Sequence, residues 1–297
     1  MSGTLVDRAQ AVVGAKLSRS RALGLLRLLR LRHATKSLFV LAPLLFSGEF
    51  HQLGSVLKAL VATGMFVVGS SAVYVFNDLL DLPSDRHHPL KRYSRPLAAG
   101  EVSPRAAWAM LAVLLLLLMA LIAQVPRVGV VVLGYCALNI LYTWRLKQVP
   151  VVDLFCIAAG FVLRIFAGAV ALWIPLSNWM LTTTLALALF LAAIKRRSEL
   201  MHGADVRVVL RSYTPELLDR YAQVSAAGSI VFYSLFVMAV RPGMVGTIPF
   251  VLFGLFRYWY LVEARADGQS PTEVVTQDWP LMATVVVWIA LCAWSIH

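Results

Sequence analysis

Residues 77–96 read NDLLDLPSDRHHPLKRYSRP, and these are the residue types that handle metal-bound phosphates. Hard divalent cations take oxygen ligands, and Mg²⁺ commonly uses one or two carboxylates together with phosphate oxygens. Asp78 and Asp81 stand at i and i+3, so a helix end would aim both the same way. Asp85 joins them at i, i+4 if the helix continues, although Pro83 argues for a break before it. Asn77 adds a neutral oxygen that can bind a cation or orient a water. The candidate metal set is therefore Asn77, Asp78, Asp81 and Asp85. Arg86, Lys91, Arg92 and Arg95 follow at once, and cations beside metal-binding carboxylates suit a phosphorylated substrate. When a diphosphate leaves, charge grows on the departing oxygen, and metal and Lys/Arg stabilise it. The bland alternative is a solvated loop whose charges pair off. Position speaks against it, because the apolar run GMFVVGSSAVYVF precedes the loop directly and ionisable groups abutting membrane segments are functional candidates.

Three further places carry chemistry. In YTWRLKQVPVVD (142–153), Lys147 and Asp153 flank the start of an apolar run, with Tyr142 near its interface. Arg164 lies inside that run, in GFVLRIFAG, where a charge needs a partner, an anionic ligand or a route to the interface by snorkelling. KRRSEL (195–200) ends another apolar run, with Lys195 and Glu199 at i, i+4. A stop-transfer cluster explains Arg196 and Arg197 but does not call for Glu199. RSYT (211–214) adds hydroxyls, Tyr213 among them, and a cation.

The elements that must position these residues are membrane spans. Of 297 residues 60% are hydrophobic and the mean hydropathy is +0.76, well above a soluble domain. Runs such as 107–125 exceed the ~18 apolar residues that mark a transmembrane helix. About nine apolar segments emerge: 37–50, 56–76, 104–124, 127–144, 149–173, 178–194, 219–240, 246–264 and 278–296. The first is the weakest, being short and interrupted by Pro43. Twenty-three of the 27 Lys and Arg fall in the N-terminal tail and in alternate loops on the same side. The positive-inside rule then places the N-terminus and loops 77–105, 145–148, 195–220 and 265–277 in the cytoplasm, and the expected location is the inner (cytoplasmic) membrane. Residues 1–36 form a basic tail before one transmembrane catalytic domain, 37–297. ALGLLRLLRLRHATK (22–36) reads either as a basic interfacial helix or as an orientation signal alone. No secretory signal peptide is evident.

Other classes lose. The net charge of +12 sits in loops between spans, where topology and anionic ligands explain it, and no nucleic-acid motif is present. There is no GxxxxGK[ST] loop and no HExxH pair. Adjacent His87 and His88 point to different faces of any regular element. Cys136, Cys156 and Cys292 lie in separate apolar segments and imply no disulfide.

The stretch NDLLDLPSDRHHPLKRYSRPLAAG resembles the signature of the UbiA-type intramembrane prenyltransferases, NDxxDxxxDRxHPxKxxRPxxxG. Asn77, Asp78, Asp81, Asp85, Arg86, Pro89 and Lys91 fall in register, while Arg95, Pro96 and Gly100 come one residue late. The resemblance implies an all-α polytopic membrane protein, about nine helices around a central cavity, with a Mg²⁺–diphosphate site at its cytoplasmic mouth. The later stretches 142–169, KRRSEL and RSYT are similar to the decaprenyl-phosphate phosphoribosyltransferase branch. Where ordinary members carry a second aspartate-rich motif, this chain has one acid among three cations. Phosphoribosyl diphosphate and a polyprenyl phosphate together bring three anionic groups, and such a pair suits a site richer in Lys and Arg. HATKS (33–37) keeps Lys36 of that branch's QWxKN-like stretch but lacks its Trp and Asn.

On this resemblance the catalytic set is Asp78, Asp81, Asp85, Lys147 and Lys195. The binding set is Lys36, Asn77, Arg86, Lys91, Arg95, Tyr142, Arg164, Arg196, Glu199 and Tyr213, and the cofactor is Mg²⁺. The partners are phosphoribosyl diphosphate, a polyprenyl phosphate and the bilayer, with homo-oligomers left open. The alternatives are an aromatic prenyltransferase of a quinone or haem pathway, which a second aspartate-rich loop would have favoured, and a polyprenyl-phosphate carrier, for which an internal repeat is wanting.

Overall fold

A computed structural model describes residues 23–87, 91–201, 208–265, 274–275 and 277–296, and among these the side chains of 31–33, 91 and 265 are left aside. Every regular element among the described residues is helical. The helices are α1 (Ala42–Ser47), α2 (Leu53–Leu80), α3 (Leu82–His87), α4 (Lys91–Ser94), α5 (Pro104–Gln124), α6 (Pro126–Trp144), α7 (Val152–Leu172), α8 (Asn178–Met201), α9 (Pro215–Val240), α10 (Ile248–Arg265) and α11 (Trp279–Ser295). Seven helical stretches are long and apolar enough to cross a membrane. Ala34–Ser47 and Trp279–Ser295 are shorter apolar helices and coincide with the first and last apolar segments of the sequence.

Local chemistry sets where these helices begin. Ser103, Thr214 and Asp278 each accept a backbone N–H from the first turn that follows, at 3.2, 3.2 and 3.0 Å. Each is followed by a proline at the first or second helical position, where a missing N–H leaves no bond unmade. The same logic disarms Pro43, which opens α1 rather than breaking a span.

The chain divides into two compact units. Among the described residues, one comprises those within 23–35 and 65–126, the other those within 36–64 and 127–296, and the chain passes from the second to the first within α2. The first unit is packed around Leu28, Val75, Leu97, Val102 and Ala107. Its turn 95–102 carries Gly100 at φ +77°, a left-handed conformation that suits glycine, and this turn seats Leu97 in the core. In the second unit, the chain entering α1 lies against α7 so closely that a Cβ at Gly168 would overlap the Val40 carbonyl oxygen and press on Pro43 of α1. Arg197 ties α8 to α9 and α10 through Asp219 at 2.7 Å and Glu263 at 3.0 Å. All three cysteines are free thiols.

The N-terminal segment differs from a single helix over 22–36. Residues 23–28 are helical, Arg30 turns left-handed at φ +51°, and a 3₁₀ stretch, Leu31–Leu41, follows. Leu28 is fully buried while Leu23 and Leu26 stay exposed.

Candidate active site

α2 carries 28 residues, more than the ~20 a span requires, so its last turn, in the first unit, can project its polar groups past the apolar stretch. The chain bends at Asp81 and resumes as α3. Pro83 falls in the first turn of α3, where its lost N–H has no intrahelical partner to forgo. The backbone bonds Asp81 N–H to Asn77 O, 2.8 Å, and Asp85 N–H to Asp81 O, 2.9 Å, carry the helical register across the bend. Asp85 therefore joins Asp78 and Asp81 despite the proline. All three converge on one group, Arg95 Nη1, which donates to Asp78 at 3.1 Å, to Asp81 at 3.5 Å and more closely to Asp85. Asp78 also accepts from Arg30 Nη2 at 2.5 Å. Asp78 and Asp85 are buried, and Asp81 is about one-third exposed. The Asn77 side-chain oxygen is buried and has no hydrogen-bond partner among the described residues.

The second unit holds a different cluster. Asp153, in the first turn of α7, has no exposed surface. One of its oxygens accepts from Arg196 Nε at 2.8 Å and the other from the Tyr213 hydroxyl at 2.7 Å. Arg196, itself buried, also donates to Glu199 at 2.6 Å and to the Tyr142 hydroxyl at 2.9 Å. The Tyr213 oxygen accepts the Val151 N–H at 2.6 Å. Val151 sits at φ +68°, ψ −45°, a strained conformation for a β-branched residue, and this bond helps to hold it. Burial, together with the hydrogen bond to Asp153, pushes the Tyr213 hydroxyl well above the ordinary tyrosine range. Lys195 Nζ lies 4.0 Å from Glu199, the i, i+4 contact that the sequence spacing predicts.

Arg164 is buried within α7. Its guanidinium donates to Gly160 O at 2.7 Å and to the Tyr135 hydroxyl at 3.0 Å, and lies 4.6 Å from the centre of the Tyr135 ring. Contact with an aromatic face is one way to lodge a cation in apolar surroundings. The same unit contains an apolar cavity of about 380 Å³, walled by Phe39, Phe46, Met180, Phe190, Tyr233 and Trp288 among others.

The candidate residues therefore fall into two groups. Asn77, Asp78, Asp81, Asp85 and Arg95 assemble in the first unit, where Arg86 is exposed. Tyr142, Glu199, Arg196, Lys195 and Tyr213 assemble in the second. Lys147 is half-buried on the 3₁₀ turn Leu146–Gln148, and Lys36 is half-buried in Leu31–Leu41. Lys91 opens α4, and its side chain lies outside the described residues, as does His88. Two participants escape sequence reasoning. Arg30 is one of eight cations in the tail, with nothing in its spacing to single it out. Asp153 reads only as the flank of a span, yet it anchors the whole second cluster.

The UbiA prenyltransferase family pattern matches residues 38–274. Decaprenyl-phosphate phosphoribosyltransferase of Corynebacterium glutamicum is 31% identical over 92% of this chain and 87% of its own. The protein of the same name from Mycolicibacterium smegmatis is 32% identical, with 92% of each chain covered. The chain belongs to the UbiA prenyltransferase family. A UbiA homolog from Archaeoglobus fulgidus, solved with GPP and Mg²⁺, shares the fold with a TM-score of 0.67 at 23% identity, covering 92% of this chain and 99% of that one. This UbiA family member is an integral membrane protein, as its apolar helices and its family both require.

The donors of the first unit suit a hard divalent cation, being three carboxylates and one amide oxygen that lacks a partner among the described residues. As the side chains stand, no group of three His, Cys, Asp or Glu among the described residues is arranged around a common metal position. Arg95 lies among the carboxylates and offsets their mutual repulsion. For Asp78, Asp81 and Asp85 to hold Mg²⁺, Arg95 must give up at least part of its hold on them.

Proposed function

We propose that the protein transfers 5-phosphoribose from phosphoribosyl diphosphate to a polyprenyl phosphate of the decaprenyl type, releasing diphosphate. The product is a glycolipid precursor for the cell envelope. A phosphate oxygen of the lipid attacks C1 of the ribose, and the bond from C1 to the diphosphate breaks with its electron pair leaving on the diphosphate. The nucleophile is already ionised, so no strong general base is needed, and positioning and electrostatics carry the catalysis.

The observation that carries the reading is the ending of α8. In the stretch 195–200 a single acid, Glu199, is held by Arg196 and lies beside Lys195. A second bed of carboxylates for another metal is not built there. Together with relatives of that name at 31–32% identity, this favours a substrate pair rich in phosphates. Asn77, Asp78, Asp81 and Asp85 would hold Mg²⁺, which supplies charge neutralisation for the departing diphosphate. Arg95, Lys91 and Arg86 would bind its oxygens. Lys147, Lys195 and Lys36 would bind the remaining phosphates, with Arg164 deeper. Arg196 would fix Glu199 and Tyr142 in place. The apolar cavity would receive isoprene units of the lipid. The N-terminus and both clusters would face the cytoplasm, in the inner membrane.

The test is a transfer assay with the purified full chain in detergent, labelled phosphoribosyl diphosphate, polyprenyl phosphates of several lengths, and Mg²⁺ with or without chelator. Mg²⁺-dependent label entering the organic phase is expected. Label moving instead from a prenyl diphosphate to an aromatic acid would replace this reading with an aromatic prenyltransferase.

A further inference from the structure

Arg30 lies outside the aspartate motif, yet it makes the short contact with its first carboxylate. The backbone that carries it is pinned. Leu28 is buried in the core of the first unit, the Leu29 carbonyl accepts from Ser71 Oγ at 3.1 Å, and Arg27 grips Glu101 at 2.7 Å and the Ser94 carbonyl at 3.1 Å. Arg30 then turns left-handed, φ +51°, which for a residue other than glycine is held only by its surroundings. This turn aims the guanidinium past the Tyr74 ring, 5.3 Å away, onto Asp78. The side chain remains 28% exposed, whereas Asp78 is only 2% exposed. The backbone is fixed while the guanidinium has room to reorient.

The charges explain what it does there. A buried carboxylate needs a counter-charge. One oxygen of Asp78 already accepts from both Arg30 and Arg95. Among the described side chains, three carboxylates thus meet two guanidinium groups, an arrangement one positive charge short of neutrality. A divalent cation bound to the same carboxylates would leave a surplus of one positive charge, and the arriving diphosphate is the natural sink for it.

We propose that Arg30 is an exchangeable counter-cation. It occupies Asp78 while no metal is bound, and it is released to bind the substrate's diphosphate when that carboxylate is claimed by a metal ion. The inference rests on the aspartates being the Mg²⁺–diphosphate site. It assigns to the N-terminal segment a part in ordered binding, because Arg30 opposes metal binding alone and favours metal and diphosphate together.

The two opposite signs make the test. Mn²⁺ binding to the purified full chain is followed by electron paramagnetic resonance, and inorganic diphosphate binding at saturating Mn²⁺ by calorimetry. Arg30→Ala is expected to tighten Mn²⁺ alone by about tenfold and to weaken diphosphate by about tenfold, the worth of one charge-assisted contact. Arg30→Lys, which keeps the charge without the fork, should fall between. Arg27→Ala, which removes the contacts with Glu101 and the Ser94 carbonyl but leaves Leu28 and the Ser71–Leu29 bond to hold the segment, should leave both constants unchanged. Loss of both affinities in Arg30→Ala would mark a structural role and overturn the proposal, as would no change in Mn²⁺ affinity. If Mn²⁺ binds the wild type and Asp81→Asn removes it, the metal site stands whatever Arg30 does. If the wild type binds no Mn²⁺ that depends on Asp81, the metal site and this inference fall together.

Discussion

The two charged clusters use the same residue types to opposite ends. In the first unit three carboxylates compete for one guanidinium nitrogen, Arg95 is 23% exposed, and Asn77 keeps a buried oxygen with no partner among the described residues. In the second, both oxygens of Asp153 are satisfied, and Arg196 spends its fork on Asp153, Glu199 and Tyr142 while only 2% exposed. A crowded, partly solvated set can exchange a cation cheaply. A dry and fully satisfied pair such as Asp153 and Arg196 cannot, because breaking it strands a buried charge. On the proposed function, the first cluster would exchange ligands and the Asp153–Arg196 core of the second would serve as a frame. The distinction could not be drawn from the number of charges in either place.

Substitutions can break or sharpen that contrast. Asp81→Asn should lower transfer about 10³-fold, some 4 kcal/mol of barrier, while leaving the unfolding midpoint in detergent unchanged. An equal loss of stability would make the first cluster a frame as well. Arg196→Met should do the reverse, costing about 3 kcal/mol of stability by leaving Asp153 buried and unpaired, with Asp153→Asn recovering part of it in the double variant. A stable but inactive Arg196→Met would instead put its guanidinium on substrate.

Tyr213→Phe should cost about 1–2 kcal/mol, since both Asp153 and the Val151 N–H lose a partner. It also carries a pH signature. The folded hydroxyl titrates above the unfolded value of 10.0. The folded state therefore keeps a proton that the unfolded chain loses, so wild-type stability should begin to fall as pH rises past about 10. Tyr213→Phe should blunt that fall. Lys147→Ala should change stability least, within about 0.5 kcal/mol, and show itself as a raised KM for phosphoribosyl diphosphate.

Much of the fold is legible because lipid restricts the options. Long apolar runs in a membrane become helices, and each of the nine segments read from hydropathy reappears, with boundaries moved by a few residues. Pro43 and Pro83 look like breakers in the sequence. Each stands in the first turn of a helix, which only the caps and bends around it reveal. Arg197, in the middle of KRRSEL, is a tie to Asp219 and Glu263, whereas its neighbour Arg196 points inward to Asp153. Two adjacent arginines cannot be sorted without knowing which helices pack against α8.

By itself the sequence determined the membrane class, the family signature, and the nearness of Asn77, Asp78, Asp81 and Asp85 to one another, because these depend on composition and on local spacing along the chain. Tertiary structure alone decided how deeply each charge is buried and which group it meets. Burial and partnership arise between segments far apart in the chain, as with Arg30 and Asp78 at 48 residues' separation or Asp153 and Tyr213 at 60. The strength of a charge–charge contact depends on the solvent removed around it, and that is a property of the packed helices rather than of any stretch of sequence.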